Sequence, residues 1–412
     1  MAGLAQVGMR VAARTSSFSF KGQDASVQTI GEQLNVTYVL EGSVQKAGDR
    51  IRVQASLIKA SDGFPVWTQT YNNNLDDIFG VQDDVVRAIV GELQIELGGA
   101  VAASVVEVLT DSPEAYQSYM LGGFNLQKRT AEAIVTAISH FEDAVRADSN
   151  FALAWSGLAD AHNLTTPANY PVEGVSWEGA VERAERAARR AIVIDSTLAE
   201  AHASLGYILD NKWDWARAEV EYERALTLNP DYPTAHLWYA IHLVALDRLD
   251  EALAEIRRAE ALDPLSLIIG VWAARILEVR GNVDGAKRRV QELANQYPNS
   301  FRAQNEASNF HLRTRQFPQA SVHMRRLAEI TADEVWARRA EGIANAESRE
   351  ATLRRWADST GNVHAHIALG DTEGALRGLE ELTQGQWTFA RLKPYLPGTR
   401  FDAILRERGL RD

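Results

Sequence analysis

Beyond residue 110 the apolar positions of this chain recur at helical spacing, and the helical spans themselves recur. "WARAEVEYERALTLNP" ends at Pro230, "LDEALAEIRRAEALDP" at Pro264 and "VDGAKRRVQELANQYP" at Pro298, each 34 residues after the last. The same offset joins Ala218, Ala252, Ala286 and Ala320, and the bulkier Tyr222, Ile256, Val290 and Met324. It also joins Gly206, Ala240, Ala274 and Ser308, all small. Each repeat therefore reads as two antiparallel helices. The small residue of the first helix lets the second pack close, and the proline ends the repeat because it cannot continue a helix interior. One such hairpin cannot bury its apolar face alone, so neighbours must stack.

The pair of tryptophans in "KWDWARAE" tests this register. Trp215 shares its position with Leu249, Val283 and Phe317, which predicts a core role. Trp213 falls in the turn between helices and reads as seam packing rather than a ligand platform. Asp214 and Asn282 stand where N-caps belong, and Pro318 sits in the first turn of its helix. Looser copies flank the regular block. "EAYQSYMLGGFNL" and "AISHFEDAVRADSN" form one pair. "FALAWSGLADAH" is joined to "AVERAERAARRAIVID" by the turn-rich insert "NLTTPANYPVEGVSWEG". Past residue 333 the phase weakens, "HIALGDTEGALRGLEEL" restores one hairpin, and "RFDAILRERGL" reads as a terminal helix.

Before residue 100 the period changes. "VTYVLEGSVQKAGDRIRVQASLIKASDGFPVWTQTY" is rich in β-branched and aromatic residues, with turn signals at Gly48-Asp49 and Asp62-Gly63. It predicts a three-stranded antiparallel meander. "MRVAARTSSF" reads as an earlier strand, and "ASVQTIGEQLN" and "LDDIFGVQDDVVRAIVGELQIEL" as amphipathic helices. The order of strand, helix, three strands and helix makes this region α/β.

Bulk composition narrows the function. The 412 residues carry a formal charge of −12, which argues against a nucleic-acid partner or attachment to anionic lipid. No cysteine is present, so disulfides, thiolate nucleophiles and zinc–thiolate sites are excluded. No apolar run reaches the ~18 residues that direct membrane insertion needs.

A 34-residue period with small residues at two fixed offsets and a closing proline resembles the tetratricopeptide repeat (TPR). The amino-terminal stretches quoted above, from "RVAARTSSFSFKG" to "LDDIFGVQDDVVRAIV", are similar to the TolB-like domain that precedes TPR arrays in bacterial signalling proteins. In that group the domain often follows an adenylate cyclase-like or winged-helix module. The resemblance implies a partial TolB-like α/β domain over 1–100 and a linker over 101–112. An all-α TPR superhelical solenoid then covers 113–388, with a capping segment over 389–412. That domain usually opens with a further strand and helix, and this chain starts too late to hold them. The expectation is a shortened product or the carboxy-terminal part of a longer protein. The incomplete sheet would then favour self-association.

The chain offers little for catalysis. There is no phosphate-binding glycine loop, no HExxH and no GxSxG. His364 and His366, and likewise His236 and His242, lack metal-ligand spacing, so no cofactor or metal is expected. "TSS" at 15–17 has no nearby histidine and reads as turn-forming residues.

The TPR resemblance implies instead a concave groove lined by the first helices. Mapped onto this chain, it assigns Arg302, Asn305, Asn309 and Arg313 in one repeat and Arg275 in the repeat before. Leu237 and Ile241 would form an apolar floor. Arginine and asparagine suit recognition of a carboxylate or peptide main chain. The alternative is an unused, solvated face. The reading is a non-enzymatic scaffold that binds a protein or peptide partner in a bacterial regulatory system. One alternative is the regulatory portion of a cyclase-like or winged-helix protein, and another is an enzyme of unrecognised type. The expected compartment is the cytoplasm, with the periplasmic side of a longer membrane-anchored protein as the alternative.

Overall fold

In the computed structural model, residues 11–48, 50–74, 84–85, 88–89, 110–165, 170, 172–360 and 362–381 are described. Two compact units divide the chain, and their sequence segments interleave. One holds Met1–Leu205, Glu223–Pro233 and Ala261–Leu265; the other holds Gly206–Tyr222, Thr234–Glu260 and Ser266–Asp412.

The first unit contains the sheet. Strands β1 (Tyr38–Ala47), β2 (Arg50–Lys59) and β3 (Pro65–Asn74) pair antiparallel in the order β1-β2-β3. This is the expected meander. Gly48 and Gly63 take φ values of 62° and 76° in its turns, where a side chain would be strained. Ile51, Ala55 and Leu57 of β2 point to one face and are buried.

Two short helices precede the sheet, α1 (Arg14–Phe18) and α2 (Val27–Leu34). The first corrects the strand expected at "MRVAARTSSF": no described residue there pairs in the sheet. Ser16 is fully buried and donates to Asp263, while the Leu265 amide donates to the Ser16 hydroxyl at 2.9 Å. The Ala13 amide reaches the Leu262 carbonyl at 3.2 Å. Contacts with residues about 250 positions away along the chain hold this segment, and periodicity could not have shown them. Of the helix expected over "LDDIFGVQDDVVRAIVGELQIEL" only residues 84–85 and 88–89 are described, and they are helical; the rest of it, most of 101–112, the terminal helix and the segment 389–412 lie outside the described residues.

The helical region of the first unit runs through α3 (Pro113–Gln127), α4 (Ala131–Ala147), α5 (Ala152–Leu164) and α6 (Trp177–Ile194). Ser112, Thr130 and Ser176 cap α3, α4 and α6, accepting the amides of Ala115, Ala133 and Gly179. A Cβ on Gly122 would stand 2.7 Å from the Phe141 ring, so α3 and α4 meet where a side chain has been given up.

The register continues through α7 (Ala199–Asn211), α8 (Trp215–Leu228), α9 (Pro233–Ala245), α10 (Leu249–Leu262), α11 (Leu267–Val279) and α12 (Val283–Gln296). After these come α13 (Phe301–Arg313), α14 (Phe317–Thr331), α15 (Glu334–Ala344), α16 (Arg349–Thr360), α17 (Val363–Leu369) and α18 (Thr372–Glu381). Gly206 performs its assigned role, since a Cβ there would lie 2.8 Å from the Tyr222 ring. Ala218, Ala252, Ala286 and Ala320 are all fully buried. Asn282 caps α12 through the Gly285 amide at 3.0 Å, and Pro318 occupies the first turn of α14.

The turns settle the Trp213 question. Trp213, Asp247, Gly281 and Arg315 stand one period apart, and all have positive φ, at 63°, 61°, 82° and 56°. Each first helix therefore stops at a left-handed residue, a conformation that glycine accepts freely and tryptophan only with strain. Trp213 recovers part of that cost by setting its ring edge-on to Trp215, with centroids 5.7 Å apart. Trp215 is half-buried rather than fully in the core, its ring 6.0 Å from that of His242. The two tryptophans are mortar at a helix stop.

Candidate functional site

The expected binding residues all fall on the first helices α9, α11 and α13 of the second unit. At three of the seams between successive first helices, the ninth residue of one meets the sixth residue of the next. Tyr207, ninth in α7, stacks on Trp238, sixth in α9, with centroids 5.0 Å apart and planes 9° from parallel. Arg275, ninth in α11, meets Glu306, sixth in α13. Its Nη2 and Nε donate to Glu306 Oε2 at 2.6 and 3.2 Å. Within the first unit, Ser204, sixth in α7, donates to Asp160, ninth in α5, at 2.5 Å.

A second ion pair lies beside Arg275–Glu306. Arg313 donates from Nε and Nη2 to the two oxygens of Glu278 at 2.8 and 2.7 Å, a bidentate geometry. Its Nη2 also stands 3.9 Å from Glu306, and its Nη1 donates to His364 Nδ1 at 3.4 Å. Arg275 is further held over the Trp272 ring, 4.8 Å from the centroid. The side chains of Arg313 and Glu278 are 0% and 2% exposed. Arg275 and Arg313 thus commit their guanidinium groups to buried carboxylates, and the four groups together carry no net charge. The cationic patch expected of them is neutralised inside the protein. The sequence reading paired neither arginine with its carboxylate: Glu278 for Arg313 and Glu306 for Arg275 emerge from the packing. The sixth-to-ninth offset, visible in the register, was the signal that could have found Glu306.

Arg302, Asn305 and Asn309 are half-buried and recur at helical spacing, so they share one face of α13. Leu237 and Ile241, expected as an apolar floor, are buried in the packing of α9.

Three histidines, His236, His242 and His366, are engaged by carboxylates. His242 Nδ1 lies 2.7 Å from Asp210, which also accepts the Tyr222 hydroxyl at 2.8 Å. Burial raises the Asp210 carboxyl, and burial together with Asp210 raises the Tyr222 phenol well above its ordinary range. His236 faces Glu255 at 2.5 Å, and His366 faces Asp371 at 2.9 Å. Asp160 is pushed up to about 7, by burial first, with the Ser204 hydrogen bond and Arg129 opposing. Asp210, His242 and Tyr222 are sealed from solvent, so this arrangement orders a core and offers no approach to a substrate. Among the described residues no group of three histidine or acidic side chains could hold a metal ion.

Comparison with known proteins agrees with the repeat architecture. Residues 213–268 match the tetratricopeptide repeat family. A relative from Rhizobium meliloti (strain 1021), named putative adenylate cyclase 3, is 30% identical over 257 residues, covering 60% of this chain. The chain spans 35% of that relative's length. Among solved structures, a thermophilic TPR protein from Thermus thermophilus aligns with 46% of this chain and 94% of its own, at 18% identity and a TM-score of 0.39. Yeast Tom70 aligns with 74% of this chain and 65% of its own, at 16% identity and a TM-score of 0.42.

Proposed function

We propose that this chain captures an extended peptide on the α13 face that carries Arg302, Asn305 and Asn309. Repeats of this type serve as protein-interaction scaffolds. The observation behind the finer reading is a division of labour along α13. Arg313 and Glu306 are buried in the seam, whereas Arg302, Asn305 and Asn309 on the adjoining face are only half-buried. Asparagine both donates and accepts, so two of them at i and i+4, about 6 Å apart along the helix, can bond alternate peptide groups of an extended chain. Arg302, three residues before Asn305, adds a cation for a carboxylate.

The test uses a bead-bound library of pentapeptides with free carboxylates. The double variant Arg302→Glu, Asn305→Asp should lower the affinity of selected peptides at least about tenfold, as expected when a charge-assisted bond is lost. The melting temperature should not change. Equal binding by wild type and variant overturns the assignment.

A second reading rests on the relative named as a putative adenylate cyclase. The scaffold would be the regulatory portion of a longer signalling protein and would act on an attached catalytic module. It is tested by the genomic sequence: an in-frame cyclase or winged-helix segment upstream supports it, and its absence counts against it. Among the described residues no helix is long and apolar enough to cross a membrane.

A further inference from the structure

The sheet of the first unit has two unlike edges. Strand β3 is blunted in the ways that keep sheet edges from pairing. It opens at Pro65, its register against β2 shifts at Leu57/Ile58, and it ends in the polar run Asn72–Asn74. Strand β1 has none of these protections. It is ten residues long, pairs with β2 without a register shift, holds no proline, and carries a lysine only near its end, at Lys46. Among the described residues no strand lies along its outer edge.

Side chains sharpen the contrast. Leu40 and Val44 stand opposite Leu57 and Val53, on the face that carries the buried Ile51, Ala55 and Leu57. Leu40 is 50% exposed and Val44 65% exposed. Among the described residues the apolar layer of the sheet therefore runs out to β1 and ends at the exposed Leu40 and Val44, beside a row of backbone donors and acceptors that no described strand pairs.

We infer that β1 pairs antiparallel with β1 of a second copy of this chain, making a continuous six-stranded sheet across a two-fold axis at Gly42. The strand is self-complementary in that register. Leu40 comes opposite the other copy's Val44, twice, which extends the apolar face. Glu41 comes opposite Ser43, Gln45 opposite Val39 and Lys46 opposite Tyr38, so no like charges face each other. Moving the axis one residue, to Glu41, would set two glutamates face to face. A two-fold contact of this kind uses one patch twice and closes on itself, so it yields a dimer and not a fibre.

The full chain tests this directly. Sedimentation should show a dimer. Val44→Lys, at an exposed position, should weaken it at least tenfold and leave the circular dichroism spectrum unchanged. The absence of cysteine gives a second readout. Glu41→Cys with Ser43→Cys should yield one oxidised species of twice the chain mass, through disulfides between residues 41 and 43 of opposite copies. A chain that stays monomeric at every soluble concentration overturns the inference. So does a dimer that Val44→Lys leaves intact, or a double-cysteine variant that oxidises without cross-linking.

Discussion

Within the second unit, the seam from α7 to α9 and the seam from α11 to α13 occupy the same place in the repeat, but they are built from opposite chemistry. The first stacks Tyr207 on Trp238; the second pairs Arg275 with Glu306 and sets Arg313 against Glu278. The repeat fixes where two helices touch and leaves the means open. Ring stacking and buried ion pairs are both acceptable, but their failure modes differ. A ring that loses its neighbour loses contact area. A buried guanidinium that loses its carboxylate is left as an uncompensated charge.

The largest expected effect follows from that difference. Glu278→Leu should cost about 3–5 kcal/mol, because it strands the Arg313 charge in a site closed to water. Tyr207→Leu, which keeps an apolar side chain and removes only the stack, should lose about 0.5–1.5 kcal/mol beyond its lost area. Replacing both Glu278 and Arg313 by methionine should cost less than Glu278→Leu alone. Urea unfolding of the variants measures all three. Equal losses at the ionic and aromatic seams would erase the distinction.

An effect of about 3 kcal/mol is expected from acid. His311, on α13, is buried against His323, with ring centroids 5.5 Å apart. Burial first, then His323 and Lys287, hold its pKa down to about 4 from an ordinary 6.5. The unfolded chain therefore binds this proton more readily than the folded one. The stability His311 lends is complete above pH 6.5 and is lost as pH falls toward about 4, at about 1.36 kcal/mol per unit. His162 in the first unit behaves alike, lowered to about 4 by burial and then by Arg183 and Arg186. His311→Leu should flatten the fall in melting temperature between pH 6.5 and pH 4. An unchanged slope in that variant would show that His311 does not carry it.

The smallest effect tests the turn common to both seams. Gly281 has φ of 82°, and a Cβ there would touch nothing within 4 Å. Gly281→Ala should therefore cost about 1 kcal/mol through backbone strain alone. Arg315→Ala, at the equivalent position with φ of 56°, replaces one strained residue by another and should change stability less. Thermal melts of the two variants compare them.

Much of the helical fold was legible because its constraints are local or periodic. The closing prolines, the small residues at Gly206 and Ala252 and the cap at Asn282 each express a backbone requirement that recurs at a fixed offset. The meander was legible from alternation and two turn signals. The segment around Ser16 was not legible, because apolar alternation resembles a strand whether or not a sheet edge is there to receive it. The candidate site was half legible. Register placed Arg275, Arg302, Asn305, Asn309 and Arg313 on first helices. It did not show that Glu278 and Glu306 come within hydrogen-bond distance of two of those arginines.

The sequence by itself determined the period, the two kinds of region and the positions that must be small, since these follow from helix geometry and steric exclusion along one chain. Tertiary structure alone decided which charges are paired in the interior and which remain at the surface. Ion pairing depends on distances across two helices, between residues that lie 31 and 35 positions apart in sequence. A guanidinium 2.7 Å from a buried carboxylate and one on an outer face are the same letter in the sequence.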